Sequence, residues 1–173
     1  INVLWADAPG TILPDTTYYA DGHPQKDKLL KKWRESSEAL LQKFEFSAEE
    51  IQDLLDKVLE LDARIAEVVL SREESSEYAK LYHLYKWEDF KALAPNLPLD
   101  AIFTQLIGQI PDQIIVPEER FWQAANQFYC EEAWPLLKAV LIFNAIASAE
   151  AYLTDEIRVL AGAYRRALSG TCL

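Results

Sequence analysis

Apolar positions recur with the 3.6-residue period of an α-helix along most of this chain. The clearest case begins at Ser47, which forms a capping box with Glu50 and precedes one continuous apolar stripe. The stripe consists of Ile51, Leu54, Leu55, Val58, Leu61, Ile65, Val68 and Val69. A similar pattern predicts an earlier helix over residues 27–44. Helices therefore dominate the expected structure.

The most apolar stretch, residues 136–153, is expected to form the central helix. Only Lys138, Asn144, Ser148 and Glu150 interrupt it, and these four residues do not share one face. A helix that is apolar nearly all round must be surrounded by protein or by lipid. Because Lys138 and Glu150 leave too short an uncharged run for a bilayer, protein is the expected surrounding. We therefore predict an all-α fold, a multi-helix domain around one central buried helix.

Shorter elements complete the predicted fold. Residues 1–25 are expected to be an extended segment, in which Leu4 and Trp5 could form a strand and Asp15 caps a short helical turn. Further helices are predicted at 71–82, 87–94, 100–107, 117–130 and 154–170, and a short strand near 114–116. The first of these helices starts with the capping pair Ser71 and Glu74, and the helix at 117–130 has Pro117 at its first position. Residues 1–173 are expected to be a single domain, with 26–173 as its helical lobe.

Composition and charge narrow the possible functions. The chain has 17 basic and 28 acidic residues and a formal net charge of −11, which argues against a nucleic-acid surface and favours simple solubility. Cys130 and Cys172 are too few for a disulfide framework and favour a reducing compartment, with a single bridge between them left open. The missing signal peptide carries no weight where the true N-terminus is not visible, and a cytoplasmic location is only the default expectation. The chain begins at Ile1 and ends at Leu173, and both ends are expected to be internal to a longer polypeptide.

The residues contain no recognisable catalytic or metal-binding constellation. His23 and His83 are far apart in sequence, and neither stands in the H-E-x-x-H spacing of a zinc site. His23 is expected to be a solvated loop residue and His83 a packed, hydrogen-bonded one. Cys130, without a neighbouring histidine, is expected to be a buried helical thiol. No catalytic or metal residue is therefore assigned, and the substrate-binding residues are unknown.

Two stretches resemble sequence signatures of the neprilysin-like zinc metalloendopeptidases. Residues 10–19, GTILPDTTYY, are similar to the family's Gly-x-x-Leu-Pro-x-x-x-Tyr-Tyr, and residues 163–171, AYRRALSGT, resemble its Arg-x-Ala-Leu-x-Gly. The matching residues are Gly10, Leu13, Pro14, Asp15, Tyr18, Tyr19, Arg166, Ala167, Leu168 and Gly170. Residues 59–66 and 114–122 also follow the family's order. The resemblance covers essentially the whole chain and looks closest to the bacterial endopeptidase O branch.

The resemblance implies a part of the helical lobe of such an enzyme. In the family, this lobe forms the wall and lid of a chamber that admits peptides and excludes folded proteins. The two histidines of H-E-x-x-H and a later glutamate hold the zinc there, and this sequence contains none of them. Zinc is therefore implied only for a full-length parent, and this chain is expected to be inactive alone. The implied partners are the catalytic lobe of the same polypeptide and peptide substrates, with no nucleic acid and no membrane.

The matching residues are expected to be structural. Pro14 fixes its φ angle, and Tyr18 and Tyr19 can bury their rings while their hydroxyls stay hydrogen-bonded. A substrate contact is the less favoured interpretation of the same residues.

A self-contained helical interaction module is the alternative from a different class. Such a module would dock a partner through a groove, and an exposed apolar face is expected under both hypotheses. Specific binding of a partner would separate them. A small unrecognised enzyme is the least supported hypothesis, because no nucleophile, base and ligand residues cluster in the sequence.

Overall fold

The computed structural model describes residues 3–169, which fall into two compact units. The first unit contains the chain up to Gly10 together with Ile65–Trp134, and the second contains Thr11–Arg64 together with the chain from Pro135 onward. Each unit is thus assembled from two separate stretches. The expectation that residues 1–173 form a single domain stays a prediction.

Helices make up most of the described chain. They are α1 (Lys26–Leu41), α2 (Ala48–Ala66), α3 (Arg72–Ser75), α4 (Trp87–Leu93), α5 (Leu99–Ile107), α6 (Glu119–Ala124), α7 (Trp134–Ser148), α8 (Asp155–Ala161) and α9 (Ala163–Ser169). The strands are β1 (Leu84–Lys86) and β2 (Gln113–Ile115), and 3-10 turns lie at Thr16–Tyr19, Tyr78–Lys80, Ala125–Gln127 and Ala149–Tyr152. The all-α prediction is confirmed, because the sheet has only two short strands among these residues.

Helix α2 begins where the capping box predicts it. The backbone N–H of Ser47 donates to Glu50 Oε2 at 2.8 Å, and the backbone N–H of Glu50 donates to Ser47 Oγ at 3.3 Å. The first part of the predicted stripe, Ile51, Leu54, Leu55 and Val58, is buried in the core of the second unit, whereas Val68 and Val69 lie beyond the end of α2 at Ala66. That core contains Trp33, Leu41, Ile51, Leu54, Leu55, Val58 and Ala139. Since burying one large apolar side chain contributes about 1.5–3 kcal/mol, the stripe of α2 is a main source of this unit's stability.

The first unit packs short helices against the two-stranded sheet. β1 and β2 are antiparallel, with Leu84 opposite Ile115, and Trp5 forms an isolated parallel bridge to Ile115. The strand expected near 114–116 is therefore present. No sequence pattern predicts β1, because three residues are too few to show a period. The core of this unit contains Ala6, Trp87, Phe90, Leu99, Ile114 and Val116.

The helix predicted over residues 71–82 stops after one turn. Its capping box is present, with the Glu74 N–H donating to Ser71 Oγ at 3.2 Å, but α3 has only four residues. Tyr78 and Tyr82 are 83% and 59% exposed. The longer prediction was wrong because this segment has no apolar face to bury, and a short helix needs one to be stable.

The helix predicted over residues 117–130 is also shorter. α6 has six residues, and Glu118, not Pro117, directly precedes it as the N-cap residue. Cys130 lies beyond the following 3-10 turn in a half-buried bend, so the prediction of a buried helical thiol was wrong. The turn brings the ring of Phe128 onto Phe121, stacked with 5.7 Å between ring centroids.

The last predicted helix is divided in two. Thr154 caps α8 by accepting a hydrogen bond from the Ile157 N–H at 3.5 Å. The helix is interrupted at Gly162, and α9 follows. Glycine disfavours helix interiors because it has the most backbone freedom to lose. Gly170 and Cys172 lie outside the described residues.

Helix α7 occupies the position predicted for the central helix. It ends at Ser148, and the chain continues as a 3-10 turn to Tyr152. Leu136 and Ala139 are buried, whereas Leu141 is 53% exposed. α7 thus buries one face within the second unit and leaves another open. Among residues 3–169, no helix combines the length and the apolar character needed to cross a bilayer.

Candidate functional site

In the second unit, Asp62 is the centre of a cluster of hydrogen-bonded polar groups. No group of three or more His, Cys, Asp or Glu side chains within residues 3–169 is placed to hold a metal ion. The cluster around Asp62 also contains the hydroxyls of Tyr19 and Tyr164 and the backbone of Ile12 and Leu13. We call it the Asp62 cluster.

Asp62 projects from α2 into this cluster and is only 8% exposed. One carboxylate oxygen accepts a hydrogen bond from the Ile12 N–H at 2.8 Å, and the other accepts one from the Tyr19 hydroxyl. A buried carboxylate is costly unless it is hydrogen-bonded, and these two donors supply that compensation.

The two tyrosines extend the cluster to the backbone on either side. The Tyr19 oxygen accepts a hydrogen bond from the Leu13 N–H at 3.1 Å, and the Tyr164 hydroxyl donates to the Ile12 carbonyl at 2.9 Å. The Leu13 side chain is 1% exposed. The N-terminal segment, α2 and α9 are therefore joined through one continuous hydrogen-bonded network.

Burial sets the proton affinities of the cluster. It raises the pKa of Asp62, and the hydrogen bonds from Tyr19 and Ile12 oppose this rise. Burial and, next, the bond to Asp62 raise the pKa of Tyr19 far above its ordinary value. Burial and the charge of Asp62 raise the pKa of Tyr164 to about 12. Both phenols therefore keep their protons near neutral pH and act as donors.

The structure brings only some of the predicted signature residues together. Leu13 and Tyr19 belong to the Asp62 cluster. Asp15 instead caps the 3-10 turn by accepting a hydrogen bond from the Thr17 N–H at 2.9 Å, as predicted from the sequence.

The other residues of this first signature lie outside the cluster. Tyr18 packs on His23 with 4.3 Å between ring centroids. Pro14 is half-buried, and Gly10 is exposed.

The second signature segment lies on α9. The Arg166 guanidinium donates to the Val159 carbonyl, and Ala167 and Leu168 are exposed. Gly170 lies outside the described residues. The structural role expected for both signature segments stays a prediction.

Two residues of the cluster, Asp62 and Tyr164, were not singled out by the sequence. Asp62 stands four residues after Val58 and three before Ile65, so it occupies the apolar face of α2. An acidic residue on the apolar face of a helix indicates a buried hydrogen-bond partner, so its position in the sequence could have identified Asp62. Tyr164 carries no comparable signal, because its partner Ile12 is 152 residues away in sequence.

The first unit holds a cavity of about 300 Å³ with a charged lining. Its residues include Glu74, Glu77, Lys80, His83, Glu119 and Arg120. Arg120 pairs with Glu74 at 3.0 Å, and Lys80 pairs with Glu77. His83 Nδ1 lies 3.1 Å from the Val116 carbonyl oxygen and 3.5 Å from Glu119, which confirms that this histidine is hydrogen-bonded. The charges of the cavity thus satisfy one another.

Glu118 is the buried acid of the first unit. It accepts a hydrogen bond from the Leu70 N–H at 3.0 Å, and burial raises its pKa. Its carboxylate joins α6 to the segment after α2.

Comparisons with known proteins place this chain in a family. Residues 1–172 match the model of peptidase family M13. A Streptococcus gordonii protein named "Putative zinc metalloproteinase in scaA 5'region" is 70% identical over 171 residues, covering 99% of this chain and 30% of that protein. The "Neutral endopeptidase" of Lactococcus lactis subsp. cremoris is 35% identical, covering 96% of this chain and 26% of that protein.

Solved structures share the fold. The crystal structure of PEPO from Lactobacillus rhamnosis HN001 has a TM-score of 0.87 at 22% identity, covering 95% of this chain and 26% of that one. The Mycobacterium tuberculosis zinc metalloprotease ZMP1 in its open state has a TM-score of 0.80 at 15% identity, covering 96% of this chain and 26% of that one.

The relatives are much longer than this chain, which spans less than a third of their length. The family match nonetheless includes nearly every residue, and the fold agrees with it. These findings confirm the resemblance seen in the sequence. The chain belongs to peptidase family M13, the neprilysin-like metallopeptidases, and represents an N-terminal region of that family.

Proposed function

We propose that this chain is the helical-lobe portion of a zinc metalloendopeptidase that hydrolyses peptides. In this proposal it walls the substrate chamber and is not catalytic alone. The observation that carries the proposal is the family match over residues 1–172, combined with a coverage of only 30% of a relative named as a zinc metalloproteinase. Most of such an enzyme would lie outside these residues.

The described residues do not fit a zinc ion. No three or more ligand-type side chains come together within residues 3–169, and His23 and His83 belong to different units. Tetrahedral zinc sites in enzymes use three protein ligands, so a pair of separated histidines cannot supply one. We therefore assign no catalytic step to this chain and place the zinc ligands in the remainder of the parent.

A chamber wall must hold its shape, and the Asp62 cluster supports this role. It joins three stretches that are far apart in sequence, through the backbone of Ile12 and Leu13, the carboxylate of Asp62 and the hydroxyl of Tyr164. The net charge of −11 would add an acidic field to the lobe. In the proposal, this chain contributes the shape of the chamber wall and an acidic electrostatic field, and the remainder of the parent contributes the zinc site and the catalytic residues.

The first test is to read the native coding sequence beyond Leu173. The proposal expects an H-E-x-x-H motif followed by a later glutamate. The purified longer protein should then hydrolyse short peptides in a zinc-dependent manner that a chelator abolishes. It should cleave an unstructured peptide and spare the same sequence within a folded protein, because a walled chamber excludes folded chains.

Residues 1–173 alone provide the matched control. They should bind no stoichiometric zinc and hydrolyse no peptide under the same conditions. Hydrolysis that persists through purification without another polypeptide would contradict the proposal. A stop codon soon after Leu173 would also contradict it, and specific partner binding would then support the helical interaction module.

A further inference from the structure

The charged cavity of the first unit has the dimensions of a binding site for a small molecule. Its volume of about 300 Å³ lies at the lower end of the range seen for ligand pockets. Its lining residues belong to the stretch Ile65–Trp134, within that unit. Three apolar residues, Leu70, Leu81 and Pro117, form part of the wall, and three acidic and three basic side chains form the rest. We call this cavity the charged pocket.

Arg120 brings unused hydrogen-bond donors to the charged pocket. It donates to the Val69 carbonyl and to Glu74 through a single guanidinium nitrogen, Nη2. Its Nε and Nη1 atoms make no hydrogen bond within residues 3–169, although a guanidinium group carries five N–H donors. The side chain is 49% exposed, so these donors are accessible to a ligand. An anionic group can therefore bind Arg120 and leave its contacts to Val69 and Glu74 in place.

Glu119 provides a carboxylate that no arginine or lysine neutralises. One of its oxygens accepts a hydrogen bond from the Tyr85 hydroxyl, and the other lies 3.5 Å from His83 Nδ1. In the part of the chain that the structure describes, no other basic side chain lies within ion-pair distance of it. The side chain is only 32% exposed, so water screens its charge less than at the open surface. This carboxylate is therefore available to a cationic group that enters the pocket.

The two signs of charge together select the kind of ligand. A ligand with only a negative charge would be attracted by Arg120 and repelled by Glu119, its neighbour on α6, and a cation would meet the reverse. A ligand with one group of each sign satisfies both residues.

We propose that the charged pocket binds a small zwitterion, an apolar amino acid or dipeptide with free termini. Arg120 holds its carboxylate and Glu119 holds its ammonium group. The apolar side chain of the ligand lies against Leu70, Leu81 and Pro117. This inference goes beyond the proposed function and does not depend on it.

The test measures the binding of a dipeptide and of its capped forms. Ala-Leu carries both charges, Ala-Leu-amide carries only the ammonium group, and N-acetyl-Ala-Leu carries only the carboxylate. Free leucine is the smaller ligand. Isothermal titration calorimetry is performed on the protein as its native gene encodes it, with EDTA present so that no zinc-dependent hydrolysis consumes the peptide. We expect each capped form to bind at least about tenfold more weakly than Ala-Leu, because each has lost a charge-assisted hydrogen bond.

Two substitutions in the pocket assign each charge of the ligand to its partner. Arg120→Gln should weaken the binding of Ala-Leu at least about tenfold and leave that of Ala-Leu-amide unchanged, because the amide has no carboxylate for Arg120 to hold. Glu119→Gln should weaken the binding of Ala-Leu to a similar extent and leave that of N-acetyl-Ala-Leu unchanged. Arg64→Gln and Glu60→Gln are the matched controls, since these two residues form an ion pair of similar exposure on α2, in the second unit. Neither control should change the binding of any ligand.

Three results would overturn the proposal. The first is that neither Ala-Leu nor leucine binds at concentrations up to about 10 mM. The second is equal affinity for Ala-Leu and its capped forms, because the pocket would then not recognise a zwitterion. The third is unchanged affinity in both pocket variants, because the peptide would then bind elsewhere in the protein.

The remaining results identify the ligand. Tighter binding of leucine than of Ala-Leu supports the amino acid as the occupant of the pocket, and the reverse supports the dipeptide. Circular dichroism checks the folding of each variant, and either pocket variant alone decides the question if the other fails to fold, since each has its own capped ligand. Peptide hydrolysis is measured separately and without EDTA, so failure of this inference is distinguishable from failure of the proposed function.

Discussion

Asp62 shows how a single acid can be both a cost and an organising contact. Its carboxylate lies on the apolar face of α2, where burial disfavours the charged form. The Ile12 N–H and the Tyr19 hydroxyl point at it and would themselves be unsatisfied without it. The carboxylate and its two donors therefore stabilise one another, because each of these groups would be costly to bury without a hydrogen-bond partner.

Replacing Asp62 by alanine should destabilise the fold strongly. The change leaves two donors without an acceptor in a buried site, and we expect a loss on the order of 3 kcal/mol in the free energy of unfolding. Asp53→Ala is the control in the same helix, because Asp53 is 63% exposed and pairs only with Lys57. That control should cost at most about 0.5 kcal/mol. Urea unfolding measures both, and equal losses would contradict the role of the cluster.

The pH dependence of stability should carry the signature of Asp62. Burial raises its pKa in the folded state above the unfolded value of about 3.9, so the folded state binds the proton more tightly. Stability from this group is therefore greatest at low pH and is lost as the pH rises through the folded-state pKa. Relative to Asp62→Asn, which cannot ionise, the wild-type free energy of unfolding should fall from about pH 4 upward and then level off. Urea titrations across the pH range measure this difference, and a rise would have the wrong sign.

Tyr164 should contribute through its hydroxyl as well as its ring. Tyr164→Phe removes the donor to the Ile12 carbonyl and keeps the ring, so we expect a loss of about 1 kcal/mol. Tyr152→Phe is the matched control, because Tyr152 is 89% exposed. Thermal unfolding of the two variants should separate them. A loss at Tyr152 as large as that at Tyr164 would show that the bond to Ile12 is not the cause.

At the scale of elements, the capping box fixes where α2 begins. Ser47→Ala removes the acceptor for the Glu50 N–H, and a lost cap of this kind costs about 1 kcal/mol. Ser148→Ala on α7 is the comparison, because Ser148 Oγ only donates back to the Asn144 and Ala145 carbonyls within its own helix. That change should be nearly neutral or slightly stabilising. Chemical denaturation measures the free energy of unfolding of both variants. A larger loss for Ser148→Ala than for Ser47→Ala would contradict the role of the cap.

A buried apolar face predicted helices even without a capping side chain, as for α1, α4 and α5, whereas a cap alone did not set the length of a helix. α2 has both, and its start follows from Ser47 and Glu50. The 71–82 segment has only the cap, and its helix ends after Ser75 because nothing follows to bury. β1 has neither and exists through pairing with β2, which comes much later in the chain.

The candidate site divides in the same way. The Leu-Pro and Tyr-Tyr signature singled out Leu13 and Tyr19 among its residues, and it predicted hydrogen-bonded hydroxyls for both Tyr18 and Tyr19, because the types and spacing of these residues are local. The acceptor of the Tyr19 hydroxyl, Asp62, comes from another element, 43 residues beyond Tyr19. Contacts across such separations depend on the packed fold, so the network had to be seen in the structure.

At the scale of the whole molecule, the dominant property is the net charge of −11. Like charges repel within a compact state, and salt reduces this repulsion by shortening the Debye length from about 30 Å at 0.01 M to about 8 Å at 0.15 M. Exposed acids such as Glu45 and Glu67 add to the repulsion. Glu67 also follows the C-terminal end of α2, where a negative charge opposes the helix dipole.

Salt should therefore stabilise this chain, in proportion to its charge. Raising NaCl from about 0.01 M to about 0.15 M is expected to raise the midpoint of thermal unfolding, because the Debye length falls below the spacing of many surface charges. The double variant Glu45→Lys with Glu67→Lys replaces two negative charges by two positive ones, so the net charge changes from −11 to −7 and the rise should be smaller. Lys31→Glu changes it to −13 and should give a larger rise. An identical rise in all three proteins would mean that salt acts through bound ions or hydration and not through the net charge. A rise that grows with the negative net charge would instead show that the acidic residues lower the stability of the chain. That is expected where the surface charge serves a purpose other than stability.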